Sequence, residues 1–456
     1  MLWTLIEKEI KRNLLSMRFI LTMVVVLIVM LGSIQVRIDD YVQSTLDSRA
    51  NATAERQTHR DSHFWRLQWM GMFLERPVLP LGVLVSGAER NPDPRFRVFQ
   101  KSKPIIRASG TIDRNPLVTL STPIDIMFIT GVVLSLLVLV LSFDAVAGER
   151  EQGTLKLLLS FPVPRSVCIF AKWVGGVLTL SIPFVIGYLG LAVWIVLSGK
   201  VHFSVADWGG FALIGIASLL YIAWMFSAAL LVSCWCRHAA TAMCLLLLIW
   251  VVLILVIPNI SPYVAAGIEP VDSLAAVHFK GMEATKELQE KEREDIEAIQ
   301  QKYNVQRWWR HEKGWDEGID VVARSHDRQR LATRGVVDTR QARIIEQTEL
   351  AHVLGRISPF TSYARIVTTL AWTGPAFEYH LRRHMREYED QLRRITTDGL
   401  HDGVGLRPEL IPHFHYQPPP LARRFMDAIM DWVILLAGTV VFFLGAYVSF
   451  ITREVI

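Results

Sequence analysis

Residues 148–155 read Gly148-Glu149-Arg150-Glu151-Gln152-Gly153-Thr154-Leu155, a charged turn followed by a run in which Leu155, Leu158 and Leu159 share one helical face. Pro162-Val163-Pro164-Arg165 then stops the run. This pattern suits docking rather than catalysis, because a short helix with an apolar face needs something to bury against. The bilayer surface, the protein's own apolar segments and a second protein all qualify. His380 and His384 stand at i,i+4 on a predicted helix with Glu387 on the same face, a spacing that can hold a metal ion. Arg382, Arg383 and Arg386 crowd that site with positive charge and no fourth ligand is evident, so no metal is assigned. Cys234 and Cys236 form a lone C-x-C, and all four cysteines (Cys168, Cys234, Cys236, Cys244) lie in or beside apolar segments, where no disulfide framework can serve the polar stretches. No Ser/His/Asp order or convincing carboxylate pair presents itself. No segment matches G-x-x-x-x-G-K-[ST], so the chain is not expected to be an enzyme or to hold ATP by itself.

The elements that position these residues are apolar blocks. The chain has 456 residues, 51% of them hydrophobic, and a mean hydropathy of +0.31. Blocks at 19–37, 124–143, 167–197, 209–235, 239–257 and 429–450 each have about the length a hydrocarbon core requires. The net charge of +5 does not point to nucleic acid, because the basic residues are dispersed and flank the blocks. Arg150, Lys156 and Arg165 lie in the 144–166 connection and Arg237 in the 236–238 turn, against only Lys200 in 198–208. The positive-inside rule therefore puts the 144–166 loop and both termini, including 451–456, in the cytoplasm, with 38–123 and 258–428 outside. Lys172, near the start of its block, is expected to snorkel to the interface, and Pro183 to kink the helix.

Leu2, Ile6, Ile10 and Leu14 recur every four residues while Lys8, Lys11 and Arg12 fall elsewhere on the wheel. Residues 1–18 are therefore expected to form an interfacial helix on the lipid bilayer, leading into the first span. With this helix, the six blocks and the Gly148–Leu155 segment followed by Pro162 and Arg165, the chain resembles the type-2 ATP-binding-cassette permeases, in a bacterial subgroup with large insertions after the first and fifth spans. The resemblance implies that the 144–166 loop carries a coupling helix docked on a separate ATPase. Gly148, Glu149, Glu151, Gly153, Thr154, Leu155, Leu158 and Arg165 would then be its coupling residues. It also implies that ATP and magnesium sit on that ATPase and none on this chain, that two permease subunits (a homo- or heterodimer) make one transporter, and that the membrane is the bacterial inner membrane.

The outer segments depart from the compact family pattern. Residues 38–68 are expected to continue the first span as a helix, and 78–106 to form short strands or loops. Helices are expected near 279–303, 321–354 and 375–396, and a Pro-rich linker at 407–420. The fold expected is thus an all-α integral membrane protein of six spans with an amino-terminal interfacial helix and an extracytoplasmic domain that is mainly helical or mixed α+β. The function expected is the permease subunit of an exporter. The rivals are an ATPase-driven mechanotransmission unit and a membrane-anchored scaffold, either acting on a periplasmic partner through the outer domain.

Overall fold

The structure is a computed structural model that describes residues 2–60, 72–87, 95–98, 106–107, 124–160, 163–401 and 411–452. Six of its helices are long and apolar enough to cross a membrane. The chain opens with α1 (Leu2–Leu14) and turns at Ser16 into α2 (Met17–Arg60), whose 44 residues span about 66 Å at 1.5 Å per residue. The apolar part of α2 is its first half, and the polar remainder continues past it to Arg60 as expected from residue 38 on, while residues 61–68 of that expectation lie outside the described residues. The second span, α3 (residues 126–142), starts where Asp125 accepts from the Phe128 amide, and it contains a π-helical stretch, Ile129–Leu134. The short helices α4 (Ala147–Glu151) and α5 (Thr154–Ser160) follow.

The third span, α6 (Arg165–Ser198), carries Pro183 within it and ends at Gly199 in the left-handed region. The fourth, α7 (Val205–Trp235), begins with a capping box in which Ser204 and Asp207 each accept from the other's amide. The fifth, α8 (residues 239–268), does not stop at Pro258 as expected from the sequence. A π-helical stretch, Val251–Val256, precedes Pro258, which stands in the first turn of the following α segment, where its missing N–H costs little.

Beyond α8, α9 (Leu274–Lys302) and α10 (Glu312–Gly355) form a long antiparallel hairpin closed at its tip by Ile299, Trp308 and Val322. Then come α11 (Pro359–Ala371), α12 (Pro375–His401), α13 (Leu421–Asp427) and the last span α14 (Ile429–Thr452). A three-stranded antiparallel sheet, β1 (Met72–Glu75), β2 (Arg95–Val98) and β3 (Ile106–Arg107), lies beside α12. Met72, Leu74 and Phe96 share a core there with Phe377, Leu381 and Met385.

The main core lies between the spans, where glycines let helices approach closely. A Cβ at Gly176 would overlap the Phe226 ring, and one at Gly215 would stand 2.8 Å from Tyr188 Cε1. The helix α11 belongs to this core although it falls within the segment read as wholly outside. Tyr363 stacks on Tyr221 midway along α7, with centroids 4.8 Å apart, and Ile366, Val367 and Leu370 are buried with it.

Candidate functional site

The charged turn after α3 sits where the ends of several spans meet. Ser233 of α7 fixes it: its Oγ accepts from the amides of Val146 and Ala147, each at 3.0 Å, and donates to the Phe143 carbonyl at 2.9 Å. Arg150 donates to the Cys236 carbonyl at 2.8 Å, and Glu151 accepts from the Ala239 amide at 3.0 Å, where a carboxylate complements the exposed amides of the α8 amino terminus. Arg165 donates to the Ile451 carbonyl at 3.1 Å, joining the start of α6 to the end of α14. Six span ends therefore converge on one face of the bundle, as alternation of six crossings requires.

The turn's own conformation follows from its glycines. A Cβ at Gly148 would come within 2.9 Å of Asp144 Cβ, and Gly153 has φ of +72°, so α4 ends in the left-handed residue that favours glycine. Thr154 Oγ1 donates to the Glu149 carbonyl at 3.3 Å across this break.

On the other side of the turn lies a cluster of charges. Glu149 Oε1 accepts from Lys172 Nζ at 2.6 Å and from Arg12 Nη1. Lys172 Nζ also reaches Glu9 Oε1 at 2.9 Å, and Arg12 Nη2 reaches Glu9 Oε2 at 2.6 Å. Burial alone would lower the Arg12 pKa, but Glu9 and Glu149 outweigh it and raise it. Arg18, at the start of α2, pairs with Asp144 at 2.8 Å and lies over the Phe143 ring. Lys172 is thus not extended to an interface as expected. It is 4% exposed, because two carboxylates meet it inside the protein.

Leu155, set at the ATPase contact by the sequence, is 1% exposed and joins the core with Val146, Ala147, Cys168 and Ile169. The apolar side chain that faces outward is Leu157, 64% exposed, beside exposed Glu151, Gly153, Thr154 and Lys156. The side chain of Leu158 lies outside the described residues. The apolar stripe of α1 is divided in the same way. Ile6 is buried against α6, with the Glu9 Cβ and the Ile6 carbonyl close above Gly175, while Leu2 and Trp3 stay exposed.

The histidine pair lies far from this turn, on α12. The His380 and His384 rings are 4.5 Å apart, His380 Nδ1 is 3.1 Å from Tyr416 Oη, and His384 Nδ1 is 3.3 Å from Glu387 Oε2. Trp372 Nε1 donates to the same Tyr416 oxygen at 2.7 Å. Burial, then His384 and Arg383, lower the His380 pKa, and burial pushes the Tyr416 phenol up to about 12. Among the described residues no three His, Cys, Asp or Glu side chains are grouped as a metal site would need.

The residues that sequence reasoning missed are Glu9, Arg12, Ser233 and the buried role of Lys172. An i,i+3 Glu9–Arg12 pair on α1 was a readable signal, but its partners lie more than a hundred residues away.

Comparison with known proteins agrees with this architecture. The family model described as ABC-2 family transporter protein matches residues 3–455. A protein of Stutzerimonas stutzeri named probable ABC transporter permease protein NosY is 35% identical over 124 residues, which is 26% of this chain and 44% of the relative. The Pseudomonas aeruginosa protein of the same name is 35% identical over 71 residues, 15% of this chain and 26% of the relative. The chain therefore spans less than half the length of these curated relatives. The family match, by contrast, leaves almost no residue outside it, and the chain belongs to the ABC-2 transporter family.

Proposed function

We propose that this chain is the membrane-spanning subunit of an ATP-binding-cassette exporter, in which a separate ATPase drives export or extraction of a substrate by pushing on residues 144–160. The observation that carries this reading is the exposed face formed by Glu151, Gly153, Thr154, Lys156 and Leu157 on a turn otherwise fastened to the spans. That turn is the only place where the family motif, the meeting of the span ends and an exposed apolar side chain coincide among the described residues.

In this reading the 144–166 loop and both termini are cytoplasmic, in a bacterial inner membrane, and the hairpin and sheet face the other side. Two permease subunits share two ATPases, which carry the ATP and magnesium. Leu157 supplies the apolar anchor, and losing one well-buried anchor at an interface costs about 2 kcal/mol or more. Glu151 and Lys156 orient the partner and set its rate of association. Glu149, Gly148 and Leu155 act from beneath, holding the docking surface in shape, and Arg165 ties it to the last span.

Leu157→Asp tests the reading directly. The variant should insert and melt like the parent, because the side chain is outside the core, yet lose its ATPase when the chain is purified from cells that make both. An ATPase that stays bound and is still stimulated by the Leu157→Asp chain would overturn the assignment.

A further inference from the structure

Coupling requires more than a docking face, since a push on a short loop must be handed to whole helices. The contacts of the turn show two unlike fastenings. Towards α7 and α8 no charge meets an opposite charge among the described residues: Ser233 holds the backbone at three points, Arg150 donates to backbone carbonyls and Glu151 accepts from a backbone amide. Towards α1 and α6 it is held by a closed ring of alternating charges: Lys172, Glu9, Arg12 and Glu149, each touching two others. The inner side of the ring is shielded, with Lys172 and Glu9 buried and the second Glu149 oxygen buried without a hydrogen-bond partner among the described residues, while Arg12, its side chain 43% exposed, closes the ring from the solvent side. Gly175 brings α1 close enough to close it, because a Cβ there would sit 2.9 Å from Glu9 Cβ.

We propose that Lys172 is a positioning residue which, through Glu9, Glu149 and Arg12, locks the coupling turn, α1 and the start of α6 into one body, so that a stroke delivered to the turn moves the amino-terminal helix and the third span together. This rests on the coupling reading above, but the lock itself is a property of the chain alone. Its physical basis is the cost of parting buried opposite charges: with Lys172 neutralised, Glu9 and Glu149 face each other with only Arg12 between them. The same arrangement explains why a lysine stands two turns inside an apolar helix, where a charge is otherwise disfavoured.

The test uses spin labels at positions 8 and 160, exposed residues on α1 and at the end of α5, away from the docking face of Glu151, Gly153, Thr154, Lys156 and Leu157, in the full chain with Cys244 replaced by serine. In the purified chain the distance distribution between labels should be narrow, and in Lys172→Met it should broaden at least twofold. Lys172→Arg should restore most of the narrowness. In the complex with the ATPase, the parent should keep one distance with and without a non-hydrolysable ATP analogue. Lys172→Met should retain the bound ATPase but show a nucleotide-dependent change in that distance. Should Lys172→Met fail to accumulate, Glu9→Gln removes one side of the ring more gently and carries the same expectations. Equal widths in the parent and both variants would overturn the lock, and so would a lowered melting temperature with an unchanged distribution, which a purely structural role predicts. Loss of the ATPase from the parent complex would instead defeat the coupling reading while leaving the width comparison to judge the lock.

Discussion

The two ends of the bundle combine charge and packing in different proportions. At the end that gathers residues 144–160, helices are joined by charge: Arg18 to Asp144, Arg12 and Lys172 to Glu149, and Arg150 to a backbone carbonyl. Towards the other end the joint is α11, inserted among the spans with Tyr363, Ile366, Val367 and Leu370 buried and with hydroxyl contacts such as Tyr363 to Ser218 at 3.0 Å and Tyr221 to the Gly131 carbonyl at 2.9 Å; charge enters there too at a buried point, where Arg356 and Arg365 meet Asp431 of α14 at 3.2 and 3.4 Å. The Gly131 carbonyl lies in the π-helical stretch of α3, where the altered hydrogen-bond ladder leaves room for such a donor. Charge pairs can be broken and remade with water or a partner protein as the alternative. A close-packed aromatic insert cannot move without opening a void. On the coupling reading proposed above, the 144–160 end is the one acted on, while the close-packed α11 end holds its shape.

The largest effect that would sharpen this contrast is expected at Tyr363. Truncation to alanine empties a fully buried aromatic site and should cost about 3–5 kcal/mol. Thermal unfolding in detergent, compared with the parent and with Arg12→Gln, measures it. A Tyr363→Ala chain as stable as Arg12→Gln would mean that α11 is not the fixed end.

The sequence shows these two ends with unequal clarity, and the reason is physical. Six spans announce themselves because twenty or so apolar residues in a row have few other uses. The charged turn is legible because Gly148–Leu155 stands directly after one of them. The direction each leucine faces is not legible: α5 has only seven residues, too few for periodicity to separate Leu155 from Leu157. Lys172 misleads because sequence alone cannot show that Glu9 and Glu149 are waiting for it. The α11 helix does carry a helical stripe at 363, 366, 367 and 370, but its 13 residues are too short to read as a span. In the sequence it is therefore not distinguishable from the polar stretches on either side of it. The helix through Pro258 was hidden because a proline signals a stop unless the preceding turn has already given up its hydrogen bond.

A middle-sized effect is expected at Gly131, where a Cβ would overlap the Phe360 ring. Gly131→Ala should cost about 1–3 kcal/mol through overpacking. Phe360→Leu, by withdrawing the ring, should recover part of that loss in the double variant, as residues in direct contact do not behave additively. Full additivity in the melting of the single and double variants would show that α11 and α3 do not press on one another.

The smallest effect is expected where the charged end is most open. Arg18 and Asp144 have side chains 51% and 37% exposed, so water already solvates both partners and the ion pair between them is weak. Arg18 also lies 5.1 Å from the centroid of the Phe143 ring, a contact whose worth at an exposed position is about 0.5–1 kcal/mol. Arg18→Gln should therefore lower stability by less than about 1 kcal/mol. The loss should shrink further as salt rises, since the screening length falls from about 10 Å at 0.1 M to about 3 Å at 1 M. Arg12→Gln should keep more of its effect at high salt, because the Glu9 and Glu149 that it meets are partly or wholly withdrawn from solvent. Melting both variants at low and high salt separates the two kinds of charge. An Arg18→Gln loss that is large and indifferent to salt would place this pair inside the lock, and the division between an open rim and a shielded ring would have to be redrawn.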